Sequence, residues 1–558
     1  MALGNYIVKD LETDITHLSK DERKCLEHLI EAAQPIDTIY WKQKLECGLA
    51  IKNLIEKAIK YMQPNKKPLF EEYLEYLVLN HSFYDTLNNE RKFFPRFSKQ
   101  DLSNAIESAR SEERNQLRSE FAALVKPIFS KNICPEKPKG ANIYDKGITK
   151  EMLEKTCRDK ELDKEIYKLN TEIRLDEGKI KVIPYEKVHK AELEKASSYL
   201  VKASEHASGT FKRYLLSRSK ALLDGKYKKS DKDWIDVKGN LNIVIGPIET
   251  YIDGVLGQKA AYEAMIYIKD AEETAKLTWL KSLAAVFEKN LPSSDKYKKE
   301  KVFIPPLEVV QTILNRGEAG GISTAVAWIL PNDEKIRKEK GYRIAFSKNI
   351  HCAKSCLDVL IAERILGDEE FKLYGKSLEE GIFLLYLLHE FSHANGKVKD
   401  GLKLTPQEAL KEHSSTIEEA KADILGLYHL DFLKEKGFIT EYEKKLAYHV
   451  LLVDSFRKFK TSLKDDHARA CALFFNYLRE KKGIKIENNY YRMDIKKATE
   501  SVKSLAEKLL IINGEGDYNE ADRLLKQYVF MSPEAKGTIE KIKDLPDAVV
   551  IKYPNLKL

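Results

Sequence analysis

The chain has 558 residues, of which 43% are hydrophobic and 33% are charged. This composition excludes intrinsic disorder and predicts a folded globular protein of roughly two to four domains, at about 150 residues each. The net charge of +8 is the small difference between 95 basic and 87 acidic side chains spread along the chain. It therefore predicts solvated helical surfaces and no nucleic-acid partner.

The cysteines and the apolar segments predict a cytoplasmic protein. The seven cysteines are odd in number and scattered, with no CxxC pair, which argues against a disulfide framework. HCAKSC (351–356) lacks a second ligand pair for a zinc site, so its cysteines are expected to be buried in a helix. No stretch approaches the roughly eighteen apolar residues of a membrane span, and residues 1–14 lack a signal-peptide core. We expect no membrane partner.

The periodicity of apolar residues predicts an α+β fold that is predominantly helical. Residues 20–240 repeat apolar side chains at spacings of three and four, and prolines such as Pro35 and Pro127 are expected to separate these helices. Short β-branched runs over 240–350 predict a small sheet, and helical periodicity returns after 351. The glycine-rich loop GEAGGIST (317–324) matches neither a P-loop nor a dinucleotide fingerprint, so it is interpreted as a turn or as a close-approach loop lining a cleft.

The stretch HEFSHANG, which begins at His389, contains the pattern HExxH in a chain with only 12 histidines. Residues four apart share one face of a helix, so His389 and His393 can place imidazole nitrogens on one metal ion. Glu390 then lies beside them as the base that takes a proton from metal-activated water. The alternative is a pair of partly buried histidines on an amphipathic helix.

A second helix is predicted at 414–430, and it carries the carboxylates that such a site needs. A catalytic zinc takes three protein ligands. Glu419 and Asp423 are four apart, so one can bind metal while the other orients a ligand histidine through its free N–H. His413 is a rival third ligand, but the helical pairing with Asp423 favours Glu419. The two helices together predict a zinc metallopeptidase that hydrolyses amide bonds.

These residues resemble the dipeptidyl peptidase III family of zinc metallopeptidases, peptidase family M49, whose two zinc motifs are HExxGH and EExxA(E/D). EEAKAD (418–423) fits the second motif at every fixed position. Further stretches similar to the shorter bacterial branch of the family lie at 21–43, 246–265, 330–341 and 464–478. The resemblance implies one zinc ion per chain, bound by His389, His393 and Glu419, with Glu418 and Asp423 in contact with the ligand histidines.

The family resemblance also implies two lobes around a wide cleft. The lower lobe would comprise 1–265, 296–350 and the tail 546–558, and would hold a helical amino-terminal part, a small mixed β core and the substrate-binding residues. The upper lobe would be helical and catalytic, would comprise 266–295 and 351–545, and would carry the zinc site.

Individual residues of the family's substrate site match positions of this chain. Glu249 matches the acid that holds the substrate's amino terminus, and Asn332 matches an asparagine that binds the peptide. Tyr251 matches the catalytic tyrosine that steadies the oxyanion, and His467 matches a histidine that assists it. The alternatives are that Tyr251 is a packed strand residue and that His467 is a surface histidine on a helix.

The activity implied by the resemblance is the release of dipeptides from the amino terminus of short peptides, by a monomer or a homodimer. Three positions depart from the family pattern. HEFSH has five residues where the family usually has six, Ile329 replaces a common substrate-binding asparagine, and Cys471 stands where an arginine is expected. These departures leave open a zinc aminopeptidase or another amide hydrolase, or a weakly active zinc-stabilised peptide-binding protein. No Nudix-box pattern occurs, so phosphate-ester chemistry is not expected.

Overall fold

The computed structural model describes residues 5–554 except 89, 158–163, 303–305, 323, 403–404, 462 and 464. The chain forms two compact units. The first takes the described residues of Met1–Asp270, Val310–Arg343 and Val550–Leu558, and the second takes those of Ala271–Val309 and Ile344–Val549. The predicted division into a lower and an upper lobe stays a prediction, and residues 555–558 of its tail lie outside the described part of the chain.

Helices dominate the first 240 residues, as the apolar periodicity predicts. The elements are β1 (Tyr6–Asp10), α1 (Lys20–Lys44), α2 (Gly48–Ile59), α3 (Lys67–Asn80), β2 (Tyr84–Asp85), β3 (Arg91–Lys92), α4 (Lys99–Glu107), α5 (Ser111–Phe129), α6 (Lys150–Thr156), β4 (Thr171–Asp176), β5 (Lys179–Pro184), α7 (Tyr185–Val188), α8 (Lys190–Glu205), α9 (Gly209–Asp224) and α10 (Lys228–Ile235). Helix α1 begins with a capping box in which Ser19 and Glu22 satisfy each other's backbone N–H groups.

The predicted breaks at Pro35 and Pro127 are wrong, because both prolines lie inside helices, α1 and α5. A proline in a helix interior costs about 3 kcal/mol or more. Helix α1 offsets this cost by burying a long apolar face, on which Leu29, Ala33 and Ile36 are each 0% exposed. Burial of one large aliphatic side chain contributes about 1.5–3 kcal/mol, so a few such residues outweigh the lost hydrogen bond.

The middle of the chain forms the predicted small sheet. Its elements are β6 (Leu241–Pro247), β7 (Tyr262–Lys269), α11 (Ala271–Lys276), α12 (Thr278–Ser282), α13 (Ala284–Lys289), β8 (Leu307–Gly317), β9 (Ala327–Leu330), α14 (Glu334–Lys340) and β10 (Arg343–Ser347). The strand order is β6-β7-β8-β10-β9, and β7 pairs antiparallel with both β6 and β8.

The glycine-rich loop follows β8 directly and makes a close backbone approach. Gly317 has φ +66°, and a Cβ atom there would lie 2.3 Å from the carbonyl oxygen of Tyr262. Only glycine fits such a position. The close-approach interpretation of GEAGGIST therefore holds at Gly317, while Ser323 of the same loop lies outside the described residues.

Helices form most of the remaining chain. The elements are α15 (Lys348–Ile365), α16 (Asp368–Tyr374), α17 (Leu378–Ser392), α18 (Pro406–Leu410), α19 (Ser414–Glu435), α20 (Glu441–Thr461), α21 (Asp466–Glu480), β11 (Ile484–Glu487), β12 (Tyr490–Met493), α22 (Ile495–Glu515), α23 (Tyr518–Tyr528), α24 (Pro533–Ile542) and β13 (Ala548–Lys552). Helix α19 packs against α17, α21 and α22, so it lies at the centre of the second unit. Among the described residues, none of the helices has the length and apolar character needed to cross a bilayer.

Candidate metal centre

Helix α17 places the two histidines of HEFSH next to each other. The helix ends at Ser392, and His393 follows it with φ −58° and ψ −30°, so the helical backbone still includes His393. The spacing of four residues therefore puts both rings on one face. The Nε2 atoms of His389 and His393 lie 3.1 Å apart, and His389 is only 6% exposed.

Helix α19 brings a carboxylate to the same point. Oε2 of Glu419 lies 3.3 Å from Nε2 of His389 and 3.8 Å from Nε2 of His393. His389, His393 and Glu419 thus form a cluster whose donor atoms lie within 4.8 Å of one another. A tetrahedral zinc with bonds of about 2.0–2.1 Å separates its ligand atoms by roughly 3.3 Å, which is close to these distances.

Two further carboxylates fix the orientation of the imidazole rings. Nδ1 of His389 lies 2.7 Å from Oδ1 of Asp423, and Nδ1 of His393 lies 2.9 Å from Oε1 of Glu418. Because a carboxylate can only accept, each Nδ1–H donates to it, and the two Nε2 atoms are left facing each other and Glu419. Such carboxylate–histidine pairs are typical of metal sites.

The electrostatics of this cluster call for a positive charge between its donor atoms. Burial lowers the pKa of His389, but the Asp423 carboxylate raises it well above its ordinary value. Burial raises the pKa of Glu419, but contacts with His389 and with the His467 ring lower it well below the usual range. Oε2 of Glu419 is buried, and from the described part of the chain it accepts no well-directed hydrogen bond. A metal cation supplies the missing charge by replacing a proton, so these residues fit a metal.

Glu390 and His467 lie beside the cluster. Glu390 is half-buried on helix α17, and within the described part of the chain its carboxylate makes no hydrogen bond or ion pair. His467 is in the first turn of α21, with Nδ1 3.2 Å from Oε2 of Glu419 and a side chain that is 47% exposed. The fold thus brings His467 to a residue that is distant in sequence, whereas Glu390 remains available to a water molecule.

The residues expected to bind substrate lie in the first unit. Nδ2 of Asn332 donates to Oε1 of Glu249 at 3.2 Å and to the carbonyl oxygen of Ile248 at 3.3 Å. Tyr251 follows strand β6 and is 80% exposed, so the alternative that it is a packed strand residue is wrong. The structure therefore brings Glu249 and Asn332 together and leaves the Tyr251 ring accessible.

Two buried acids beside Glu249 were not predicted from the sequence. Burial, with Glu318 and Glu249 nearby, raises the pKa of Glu263 well above its usual range. Burial also raises the pKa of Glu318 to about 8, with a further increase from Glu249 and an opposing effect of Lys44. The conspicuous loop that holds Glu318 was visible in the sequence, but its proximity to Glu249 depends on strand pairing.

Other candidate ligands lie apart from the cluster. Nε2 of His413 lies 3.2 Å from Oδ1 of Asp522, and its ring stacks on Tyr518, so the rival ligand is engaged elsewhere. All seven cysteines are free thiols. His351 of HCAKSC has Nε2 3.2 Å from the carbonyl oxygen of Glu379, and no described residue completes a zinc site around it.

Comparison with known proteins assigns the chain to a family. The model of peptidase family M49 matches residues 159–402, which include HEFSH. Nudix hydrolase 3 from Arabidopsis thaliana is 30% identical over 578 aligned positions, which cover 97% of this chain and 72% of the relative.

Two solved structures extend this similarity to the fold. Dipeptidyl peptidase III from Caldithrix abyssi is 30% identical with a TM-score of 0.85, over 98% of this chain and 97% of that one. Dipeptidyl peptidase III from Corallococcus sp. strain EGB is 26% identical with a TM-score of 0.78, over 98% and 95% of the two chains. These matches confirm the predicted fold class, predominantly helical with a small mixed sheet. The chain therefore belongs to peptidase family M49, the dipeptidyl peptidase III family, and is a metallopeptidase of that type.

Proposed function

We propose that the protein is a zinc-dependent exopeptidase that releases dipeptides from the amino terminus of short peptides. One observation carries the proposal. Nε2 of His389, Nε2 of His393 and Oε2 of Glu419 converge within 3.8 Å of one another, and each histidine is oriented by a carboxylate at its other nitrogen. Two histidines and a glutamate as donors, with Glu390 on the helix of the two histidines, are the arrangement of a hydrolytic zinc site.

The residues of the chain supply the proton transfers. When bound, the zinc ion polarises the carbonyl group of the peptide bond and makes a water molecule more acidic. Glu390 takes the proton from the attacking water and delivers it to the leaving amine. Its carboxylate makes no hydrogen bond or ion pair with a described residue, which leaves it free for this role. Tyr251 and His467 are the groups that we assign to stabilising the negative charge on the carbonyl oxygen.

Recognition of the free amino terminus is assigned to Glu249 and Asn332. The amide of Asn332 holds Oε1 of Glu249, which fixes the direction of the carboxylate. A fixed carboxylate binds a substrate ammonium group by a charge-assisted hydrogen bond. Burial raises the pKa of the acids Glu263 and Glu318, and the nearby Glu249 carboxylate raises it further, so a second anionic group is disfavoured beside Glu249.

Cleavage of one unlabelled hexapeptide tests the proposed specificity. We expect the intact hexapeptide to yield dipeptide products, and its amino-terminally acetylated form to remain uncut, because acetylation removes the positive charge that Glu249 would bind. Mass spectrometry of the products provides the measurement. Release of single residues would instead assign an aminopeptidase, and cleavage of the acetylated peptide at an unchanged rate would contradict recognition of the amino terminus.

The Glu249→Gln variant tests the assigned amine-binding residue. We expect KM for an unblocked peptide to rise about 10-fold or more, since a charge-assisted hydrogen bond contributes about 1.5–3 kcal/mol. The rise should be absent in Glu154→Gln, which alters an exposed glutamate of helix α6 in the same unit. The measurement is the steady-state KM of wild type, Glu249→Gln and Glu154→Gln. Equal KM values for wild type and Glu249→Gln would show that the substrate's amino group binds elsewhere.

A further inference from the structure

The second histidine of HEFSH stands at the end of its helix and needs support from other elements. Helix α17 ends at Ser392, and the chain turns away within three residues of His393, at Gly396 with φ +79°. No further helical turn follows to fix the position of His393. Its side chain is 23% exposed, whereas that of His389 is 7% exposed.

Lys421 of helix α19 bridges this turn to the carboxylate that holds His393. Its Nζ donates to the carbonyl oxygen of Asn395 at 3.1 Å and lies 2.9 Å from Oε1 of Glu418. The same Oε1 lies 2.9 Å from Nδ1 of His393. The contacts form a closed ring that runs from His393 along the backbone to Asn395, through Lys421 to Glu418, and back to the imidazole.

Asn395 is itself held in place by buried hydrogen bonds, so one part of this closed set of contacts has a fixed position. The residue is 0% exposed, and its Nδ2 donates to Oε2 of Glu288 on helix α13 at 3.0 Å. Burial lowers the pKa of His429 to about 3. Because the amide oxygen of Asn395 can only accept, the neutral His429 ring donates its Nε2–H to Oδ1 of Asn395, at 3.0 Å. Glu288 also accepts from the backbone N–H of Gly396 at 3.0 Å.

We propose that Lys421 is a positioning residue that holds His393 in the geometry for metal binding. Lys421 is 3% exposed and touches neither of the His393 ring nitrogens, so it acts through Glu418 and the backbone of Asn395. Without the Lys421 ammonium group, the hydrogen-bond partners that Glu418 keeps among the described residues are His393 and the amide of Asn513, the latter at 3.3 Å. The His393 ring then gains freedom to turn, and metal affinity falls. This inference rests on the proposed metal site.

Zinc affinity of Lys421→Met, measured by competition with a chromogenic chelator, tests the proposal. We expect binding about 10- to 100-fold weaker than in wild type, as for other groups that orient metal ligands. We also expect a changed visible absorption spectrum after cobalt substitution, because the ligand geometry around the ion differs. Lys421→Arg, which keeps the charge and the donors, should recover part of the affinity.

Lys444→Met is the matched control. Lys444, on helix α20, is also a buried lysine, 7% exposed. It pairs with Asp431 of helix α19, the helix that carries Lys421, but makes no contact with the metal cluster. We expect this variant to be less stable to heat while keeping wild-type zinc affinity and cobalt spectrum. Should Lys421→Met not fold, Lys421→Gln, whose amide is shorter and uncharged, takes its place with the same outcomes.

Two results would overturn the proposal. One is zinc affinity of the Lys421 variant within about twofold of wild type. The other is an equal loss in Lys444→Met, which would show a general effect of removing a buried lysine. Wild type that binds no zinc would refute the proposed function itself. The two failures are therefore distinguishable in one set of titrations.

Discussion

Replacement of Glu390 by glutamine is expected to lower kcat for peptide hydrolysis about 10²- to 10⁴-fold, the usual contribution of a general base. The amide has nearly the same shape as the carboxylate but cannot accept the proton of the attacking water. The metal should stay bound, because the donor atoms come from His389, His393 and Glu419. We therefore expect one zinc per chain in the variant by elemental analysis, with activity lost.

The control for this variant is Glu380→Gln. Glu380 is an exposed residue in the first turn of the same helix α17, so its change tests whether any loss of a carboxylate from this helix reduces turnover. We expect wild-type rates. If Glu390→Gln retained more than about a tenth of the wild-type kcat, another group would have to serve as the base, and Glu390 would not have the assigned role.

Replacement of His389 by alanine is expected to abolish stoichiometric zinc binding and, with it, activity. The change removes one of three converging donors and leaves the buried carboxylate of Asp423 without its imidazole partner. In wild type, zinc at 100 times its Kd should stabilise the fold by about 2.7 kcal/mol through mass action. The variant should lose this zinc-dependent rise in Tm.

Thermal denaturation with and without zinc, after treatment with a chelator, gives the measurement. His351→Ala is the matched control, since His351 is also buried, at 3% exposed, and contacts the first turn of helix α17 rather than the metal cluster. It should lower Tm but keep the shift on adding zinc. An unchanged zinc shift in His389→Ala would show that the ion binds elsewhere.

Local sequence patterns were sufficient to predict the two helices that carry the candidate metal ligands. The spacing of His389 and His393 depends only on the periodicity of a single helix. The same is true of Glu419 and Asp423. Family motifs then supplied the role of each residue. The helical pairing of Glu419 with Asp423 favoured Glu419 over His413 as the third candidate ligand, although the distance between the helices was unknown.

The prolines show where local patterns failed. Pro35 and Pro127 are helix breakers by themselves, yet both lie within helices of the structure. The outcome depends on how much apolar surface a helix buries against its neighbours, as α1 does against α8. The buried apolar surface depends on the tertiary structure, because it includes contacts with residues far along the chain.

The sequence by itself determined the helical content, the mid-chain sheet and the positions of the candidate metal-binding motifs, since each depends on spacing within one element. Only the tertiary structure decided which groups surround them. His467 reaches Glu419 from a third helix, and Lys421 reaches Asn395 across the turn after α17. Contacts of this kind follow from the packing of separate helices, and the spacing of residues within one helix carries no information about them.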